Sequence, residues 1–582
     1  MRQSIANHIW ISALILALVI AFHLFLISKT YTIDSLGNMR TASTGYGDIP
    51  FHMTQVSKFA LQSHIDFNEP IFDGEKLRYA FLINAISGLI LRFWGNWYVA
   101  MQLPVMGFMT AATVLTFLLY RKFLKSNWGA VVAVVIFLLG AGFGANWHFR
   151  NYLASSTSYN GGFIQYLVDN TASTIIRWDA VYPEQNITWG APLSLVFLHQ
   201  RAFFLGFFMF SLFCYLFQKW QSKPNSKTLT IFLAMIVGLG PLGHYHSYIA
   251  MCTVIAFVGL FTILRRNFFF FRRLMILGLI IMLLSIPQII YLVQGKESVI
   301  FGHDSFIKFR FGWMTEPTIG SIKFNPDGGL VSGIIFPFFN FLWLNFGVIL
   351  PIFVIAGFSA LWSFNFRRKF EQVLFLFAVG ICLFVLVQLF RFQPWDFDNN
   401  KILVYYQFFA APVFVAFFLW ILEHRKVLGL FLFAIFTILA IYSGIIDEIP
   451  RFMVPFDRLP VIFGTDAIAT AEYIKDNISQ DERIITTSTH LNPVSSLAGR
   501  PVLVGYPGWL WTKGINYAAR EQSLREFYTN PLSISDNSYI RNAEYVLLDP
   551  TAIYDWKTTK EKFDTQFTRI FSNTSYSLYK MR

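Results

Sequence analysis

The chain has 582 residues, 55% hydrophobic, 18% aromatic and 14% charged, with a mean hydropathy of +0.50, which excludes a soluble globular enzyme and places it among polytopic membrane proteins. Its formal charge of +13 suits a nucleic-acid binder, but the distribution excludes one, because the basic residues gather in short loops between apolar stretches.

A span across a hydrocarbon core of about 30 Å needs roughly 20 apolar residues. The first such stretch, 8–28, has few amino-terminal positive charges and no small-x-small cleavage site after it, so it reads as a retained helix. The loop 28–97 follows, and in it Asp48-Ile49-Pro50 has the form of a helix start over 51–61, with proline in the first turn. The segment 79–95 is apolar enough to cross. If it crossed, however, the cluster Arg121, Lys122 and Lys125 and every later basic loop would fall outside. It therefore reads as a helix lying at the interface, with Asn84, Ser87, Gly88 and Arg92 within an arc of about 140° at ~100° per residue.

Further spans are predicted at 98–120, 128–147, 197–218, 228–242, 247–264, 274–293, 346–364, 371–390, 402–422 and 427–446, with 330–345 as a second interfacial segment. Basic clusters at Lys219, Lys223 and Lys227, at Arg265, Arg266, Arg272 and Arg273, at Arg367, Arg368 and Lys369, and at Arg425 and Lys426 mark the cytoplasmic side. The expected fold is a polytopic α-helical membrane protein of about 11 spans, amino terminus cytoplasmic, in the cell or plasma membrane. Its domain 1–446 carries the outer loops 28–97, 150–196 and 294–344, with a shorter one at 391–401. A soluble extracytoplasmic α/β domain, 447–582, completes the chain. The cytoplasmic loops are short, which puts the chemistry outside.

In the tail, Thr465-Asp466 opens a helix through Asp476, the segments 483–488, 501–505 and 543–548 read as strands, and 567–579 as a closing hairpin. Gly505-Tyr506-Pro507-Gly508-Trp509-Leu510-Trp511 is a turn-rich aromatic loop whose Trp509 and Trp511 either stack on a sugar or anchor the domain on the membrane. Cys214, Cys252 and Cys382 fall inside spans, leaving no disulfide framework for the outer parts. Sequons at Asn186, Asn477 and Asn573 are near chance frequency.

Four constellations carry candidate chemistry. Asp48 and His52 stand at i, i+4 on one helical face at a membrane surface. Asp48 is either an N-cap or a reactive carboxylate, and the two roles are compatible; His52 orients it, binds a phosphate or metal, or sits at the interface. His244-Tyr245-His246 is at an outer turn. Two imidazoles at i, i+2 are no zinc signature on a helix, which makes a metal the weaker reading beside lipid phosphate or ordinary interfacial polarity. His199-Gln200-Arg201 puts an arginine at a span end, where a charge is costly without a partner and a phosphate suits the guanidinium fork. Trp395-Asp396-Phe397-Asp398-Asn399-Asn400-Lys401 gathers two acids, two amides and a lysine at the start of a span. His303, Asp304, Lys308 and Arg310 form a looser polar group in the loop 294–344.

These residues bring the chain to a family. Gly47-Asp48-Ile49-Pro50-Phe51-His52, Glu69-Pro70-Ile71-Phe72-Asp73-Gly74, Leu77-Arg78-Tyr79 and Trp94-Gly95 lie in the first outer region. His199-Gln200-Arg201, Gly243-His244-Tyr245-His246, Asp398-Asn399-Asn400-Lys401 and the segment 498–511 follow in order. Together they resemble the GT-C membrane glycosyltransferases, which include the oligosaccharyltransferase catalytic subunit, protein O-mannosyltransferases and aminoarabinose and arabinosyl transferases. The resemblance implies inverting transfer of a sugar from a polyprenyl-phosphate-linked donor to a glycan, lipid or protein acceptor on the outer face, with no nucleic-acid partner. It implies Asp48 as general base. His52, Arg201, His244, His246, Lys401, Asp396 and Asp398 are the candidates for substrate and lipid phosphate. For a second acid, Asp73, Asp179 and Asp396 compete. No metal ligand is assigned; the first outer loop lacks a dense carboxylate cluster, so a divalent cation such as Mg or Mn is left open without support. Two other classes stay open: a ligase or polymerase that moves a whole lipid-linked oligosaccharide, and a nonenzymatic lipid or glycan transporter, against which the lack of an internal repeat counts.

Overall fold

The computed structural model describes residues 2–42, 45–63, 66–155, 161–173, 187–294, 307–310, 312–313, 328–393, 396–531 and 538–581. Helix α1 (Arg2–Ser28) is followed by β1 (Thr32–Ile33), β2 (Met39–Arg40), α2 (Ile49–Leu61) and α3 (Leu82–Trp94). Next come α4 (Trp97–Leu124), α5 (Asn127–Leu139), α6 (Ala145–Ser155), α7 (Phe163–Ser173), a wide π turn at Leu193–Phe197, and α8 (Arg201–Ser222). Helix α9 (Lys227–Gly238) and the single turn α10 (Gly240–Gly243) lead into α11 (Tyr245–Leu264) and α12 (Phe268–Val293). Strand β3 (Lys308–Phe309) precedes α13 (Phe336–Phe346), α14 (Ile349–Trp362), α15 (Phe364–Lys369) and α16 (Val373–Leu389). Then follow β4 (Phe390–Arg391), α17 (Asn400–His424) and α18 (Lys426–Met453).

Among the described residues, seven helices are long and apolar enough to cross a membrane, or eight if α13 and α14, bent by 101° at their junction, count as one span. The protein is thus an integral membrane protein in composition and helix length. Every predicted span has a helix, but those at 128–147, 228–242 and 371–390 are only 13, 12 and 17 residues long, so length alone does not reach the expected count. The physical reason is visible at α5. It ends at Gly140 in extended backbone, and its continuation bonds to other chain segments instead of to itself: Ala141 N–H donates to the Ala440 carbonyl at 3.0 Å and Phe143 N–H to the Leu344 carbonyl at 2.9 Å. The α13–α14 bend turns at Gly347, whose φ of +52° is strained for any residue with a Cβ.

The chain divides into two compact units: Met1–Ile27, Val105–Ile290 and Glu297–Val454 form the first, and Ser28–Pro104, Tyr291–Lys296 and Pro455–Arg582 the second. In the first, α17 is the axis, buried from Asn400 through Ala416. Gln407 uses its side-chain N–H groups on the carbonyls of Ile136, Phe137 and Gly140, at 3.1, 3.1 and 2.8 Å; the Phe137 carbonyl loses its helical donor where the Ala141 N–H turns to Ala440. Asn345 accepts the N–H groups of Thr188 and Trp189 at 2.7 and 2.9 Å, and Ser443 donates to the Gly142 carbonyl at 2.8 Å.

The second unit joins the loop 28–97 to the tail. Strand β2 pairs antiparallel with β5 (Val461–Phe463), and helix α19 (Thr465–Asn477) follows as predicted. A four-stranded sheet contains β6 (Ile484–Ile485), β7 (Tyr545–Leu548), β8 (Thr568–Ser572) and β9 (Ser577–Lys580) in the order β6-β7-β9-β8, with β6 and β7 parallel and β8–β9 the expected hairpin. The expected strand at 501–505 does not join it. Val502 and Gly505 N–H groups donate instead to the carbonyls of Pro70 and Ile71, at 3.0 and 2.7 Å, because Ile71 and Phe72 share a core with Leu503, Ile485 and Val546. Helix α2 is buried from Ile49 to Ala60, with Met53 and Val56 in one core and Phe51 in the other. Each such large side chain removed from water contributes roughly 1.5–3 kcal/mol.

Glu69 and Lys513 form a buried ion pair at 2.6 Å, and the ammonium also lies 4.5 Å from the centre of the Phe51 ring. Burial lowers the Lys513 pKa, and the Glu69 carboxylate opposes that shift. Lys513→Met leaves a buried carboxylate alone and is expected to cost about 3–5 kcal/mol, whereas the Glu69→Leu/Lys513→Met double variant recovers most of the loss. Thermal unfolding of the full chain in detergent, compared across the three variants, checks this.

Asp549, just past β7, is buried with its carboxylate accepting from Thr487 Oγ1 at 2.5 Å and from the Ala552 N–H at 2.8 Å. Burial nevertheless pushes its pKa up from 3.8 to about 6. The folded state is then the stronger proton binder between these values, so stability is full below the lower one, falls as pH rises through the higher one, and is flat above it. At ~1.4 kcal/mol per unit the loss is about 3 kcal/mol. Melting temperature measured between pH 4 and 7 should fall for the wild type, and Asp549→Asn should remove that slope.

Candidate functional site

In the first unit, three long helices begin at one place. Gln200 is extended and Arg201 opens α8; His244 is extended and breaks the chain between α10 and α11; and the short helical turn Asp396–Asn399 leads into Asn400 at the start of α17. The rings of Phe203, His244 and Tyr405 tie the three together, with Phe203 5.0 Å from His244 and 5.7 Å from Tyr405. Gly206 permits this approach, since a Cβ there would lie 2.8 Å from His244 Cγ.

The polar groups at these helix starts form a connected set. His244 Nδ1 accepts the Ser247 N–H at 3.3 Å, which caps α11, and shares a hydrogen with Ser247 Oγ at 2.7 Å. Ser247 Oγ is in turn hydrogen-bonded to the Tyr405 hydroxyl. The His246 ring lies 5.5 Å from that of His244, and its Nε2 is buried without a hydrogen-bond partner among the described residues. Lys401 pairs with Asp398 at 3.0 Å and acts electrostatically on both imidazoles. Arg201, His244, His246 and Lys401 are all less than 9% exposed. Three positive helix termini plus buried cationic and imidazole groups make an environment suited to an anion. The sequence candidates Arg201, His244, His246, Lys401 and Asp398 thus stand on these three converging helix starts. Asp396 belongs to the turn before α17, but its side chain lies outside the described residues, as do Asp179, His303, Asp304, Trp395 and the sequon at Asn186. Lys308 lies in β3, paired with β4, and the Arg310 N–H donates to the Leu389 carbonyl at 2.8 Å.

A second charged group in this unit escaped the sequence reading. Near the end of α18, Asp447, Glu448 and Arg451 are buried; Arg451 Nη1 donates to the Asp447 carbonyl at 2.8 Å, and His148 Nε2 lies 3.6 Å from Asp447 Oδ1. The signal is the i, i+3 and i, i+4 spacing of these three residues, which fall just beyond the predicted end of the last span and so within the predicted soluble domain.

In the second unit, Asp48 occupies the N-cap position of α2 but in helical backbone, and its side chain makes no capping bond. The helix start is set by Pro50 and by the His52 N–H donating to the Asp48 carbonyl at 3.0 Å. His52 is buried, its Nδ1 accepting from Asn84 Nδ2 at 3.0 Å, while Asn84 also donates to Gln55 at 2.8 Å. The polar stripe of α3 therefore faces α2: Asn84, Ser87 and Gly88 are buried, and the exposed face carries Leu89, Phe93 and Trp94. Such a face is the apolar surface of an interfacial helix. Trp509 Nε1 donates to the Gly47 carbonyl at 3.0 Å, next to Asp48, and starts a run of rings through Tyr506 and His490 to Tyr46 spaced 5.3, 5.5 and 5.0 Å apart. Burial lowers the His490 pKa. Trp511 is 47% exposed and outside this run. Asp73 is in the same unit, on the turn after Phe72, with its N–H on the Val502 carbonyl.

Among the described residues no group of three or more His, Cys, Asp or Glu side chains is placed to hold a metal ion.

No protein-family model and no curated protein matches the chain in sequence. Solved structures do match its fold. The archaeal oligosaccharyltransferase AglB from Archaeoglobus fulgidus, in complex with an inhibitory peptide and a dolichol-phosphate, aligns over 98% of this chain and 74% of its own at a TM-score of 0.50 and 11% identity. ArnT from Cupriavidus metallidurans, bound to undecaprenyl phosphate, aligns over 98% of both chains at a TM-score of 0.46 and 10% identity. With a helical membrane unit and a second unit built from the loop 28–97 and the tail, the chain has a fold similar to that of AglB.

Proposed function

We propose that the protein is an inverting glycosyltransferase that moves a sugar from a polyprenyl-phosphate-linked donor to an acceptor hydroxyl at the outer face of the membrane. The observation that carries this reading is the meeting of three helix N-termini with Arg201, His244, His246 and Lys401 buried around it. A lipid phosphate is a ligand that guanidinium, ammonium and imidazole donors recognise. The solved AglB contains a dolichol-phosphate, a ligand of that class.

In this reaction Asp48 takes the proton of the acceptor hydroxyl. The hydroxyl oxygen forms the new bond to the anomeric carbon as the bond from that carbon to the phosphate oxygen breaks. The electron pair leaves with the phosphate, and the configuration inverts. The leaving group is already activated, so positioning and charge stabilisation supply most of the rate. Arg201 and Lys401 hold the phosphate, with His246 as a further donor in the neutral tautomer that carries its hydrogen on Nε2. Asp398 positions Lys401 through its 3.0 Å ion pair. His52 is a positioning residue that fixes α2 through Asn84. The exposed ring of Tyr506 and the half-buried ring of Trp509, which follow one another in the aromatic run, offer the stacking faces an acceptor sugar uses. No step runs through a metal ion.

Mass spectrometry of cell-surface glycans tests this. Deleting the protein should remove one sugar modification, and the wild type should restore it. Asp48→Asn should lower transfer by about 10²–10⁴-fold while purified protein still binds undecaprenyl phosphate by native mass spectrometry. Lys401→Met should weaken that binding. Full restoration by Asp48→Asn would remove Asp48 from the mechanism.

A further inference from the structure

The second unit contains a polar cavity of about 320 Å³ lined by Asp73, Arg483, Leu503, Arg520, Ser538 and Tyr539. That volume lies at the lower end of small-molecule sites, which run from about 300 to 1,000 Å³. Its walls come from separate parts of the chain that other bonds hold in place. Arg483 leads into β6, its N–H donating to Glu544 Oε2 at 2.7 Å and its carbonyl accepting from the Tyr545 N–H at 3.1 Å. Arg520 lies in the helix Ala518–Thr529 and donates from Nη1 to the Asp73 carbonyl at 2.7 Å. The Asp73 N–H is held by the Val502 carbonyl at 3.1 Å.

The charges in this cavity are unspent. Among the described residues the Arg483 guanidinium makes no hydrogen bond or ion pair; its carbon stands 5.0 Å from the centre of the Tyr539 ring. Arg520 makes its single bond to a backbone carbonyl and lies 4.2 Å from the centre of the Phe72 ring. The Asp73 carboxylate makes no hydrogen bond or ion pair among the described residues, so the two guanidinium groups are not neutralised by it. Both arginines are thus oriented by aromatic faces while their donors remain available. Two planar forks match the oxygens of a carboxylate or phosphate, and a carboxylate such as Asp73 accepts from hydroxyls. Charged groups in a half-buried site are costly without partners, and a ligand of this composition supplies them.

We propose that the Asp73–Arg483–Arg520 cavity binds an acidic sugar, a ligand of monosaccharide size bearing hydroxyls and either a carboxylate or a phosphate. This goes beyond the transfer reaction and does not depend on the role of Asp48. Calorimetric titration of the full-length protein in detergent micelles with glucuronate, glucose 6-phosphate, inorganic phosphate and glucose tests it. At least one acidic sugar should bind and neutral glucose should not, and the preference between the two acidic sugars identifies the anion. Arg483→Gln, which breaks no side-chain hydrogen bond, should weaken acidic-sugar binding by at least about tenfold. Asp73→Asn should weaken the acidic sugar and leave inorganic phosphate unchanged. An unaltered melting temperature establishes that each variant is folded; where Arg483→Gln lowers it, Arg483→Lys is used, which keeps the charge and loses the fork. The proposal is overturned if neither acidic sugar binds, if glucose binds as well as they do, if phosphate binds as tightly as the sugars, or if the Arg483 variants leave affinity unchanged.

Discussion

A backbone group released by a broken helix inside a bilayer has no water to bond to, and this constraint organises the membrane unit. Helix α5 stops at Gly140, and the carbonyls around its end, those of Ile136, Phe137 and Gly140, accept from one side chain, Gln407 of α17. Asn345 does the same for the N–H groups of Thr188 and Trp189, and Ser443 for the Gly142 carbonyl. These amides and hydroxyls look out of place in apolar spans, yet each bonds a backbone group at a helix end or outside regular helix. With the breaks satisfied in this way, α17 remains a rigid buried axis. Its first turns then carry Lys401 and Tyr405 to the starts of α8 and α11. There the same constraint works in reverse: His244 satisfies one N–H of α11, and the remaining positive ends of the helices favour an anion.

The second unit follows ordinary soluble physics. Helix α2, contributed by the loop, is buried along nearly its whole length among residues of the tail, so neither piece keeps its core without the other. The Glu69–Lys513 pair and the bonds from Val502 and Gly505 to Pro70 and Ile71 lock that association. The motif Glu69-Pro70-Ile71-Phe72-Asp73-Gly74 is accordingly divided in purpose. Its first acid is an internal strut, its apolar centre belongs to the core, and Asp73 lines a cavity. A similar division separates Asp48 from His52. The imidazole is committed to Asn84, whereas the carboxylate has no capping role and lies next to the Gly47 carbonyl that anchors Trp509.

Local signals were read well where local physics decides. Pro50 at a helix start, the Thr465 helix and the 568–580 hairpin all form because proline geometry, helix propensity and alternation act within a few residues. The stripe of Asn84, Ser87 and Gly88 was legible as a stripe. Its direction was not, because polar residues turn inward only when partners such as His52 and Gln55 wait there. The segment 501–505 has strand-like composition but finds its hydrogen bonds in the first loop, more than 400 positions earlier in the chain. Asp447, Glu448 and Arg451 have the composition of the start of the soluble domain, and nothing nearby in sequence announces that they are buried.

By itself the amino-acid sequence determined the solvent in which the chain folds, the positions of its apolar helices and the residue types available for chemistry. Hydrophobic length and charge distribution are additive along the chain, so they can be summed without knowing any contact. Only the tertiary structure decided which helices are cut short, which polar groups are spent in repairing those cuts, and which charges are left to meet a ligand. Those outcomes depend on hydrogen-bond partners that lie hundreds of residues apart, as Gln407 does from Gly140 and Lys513 from Glu69.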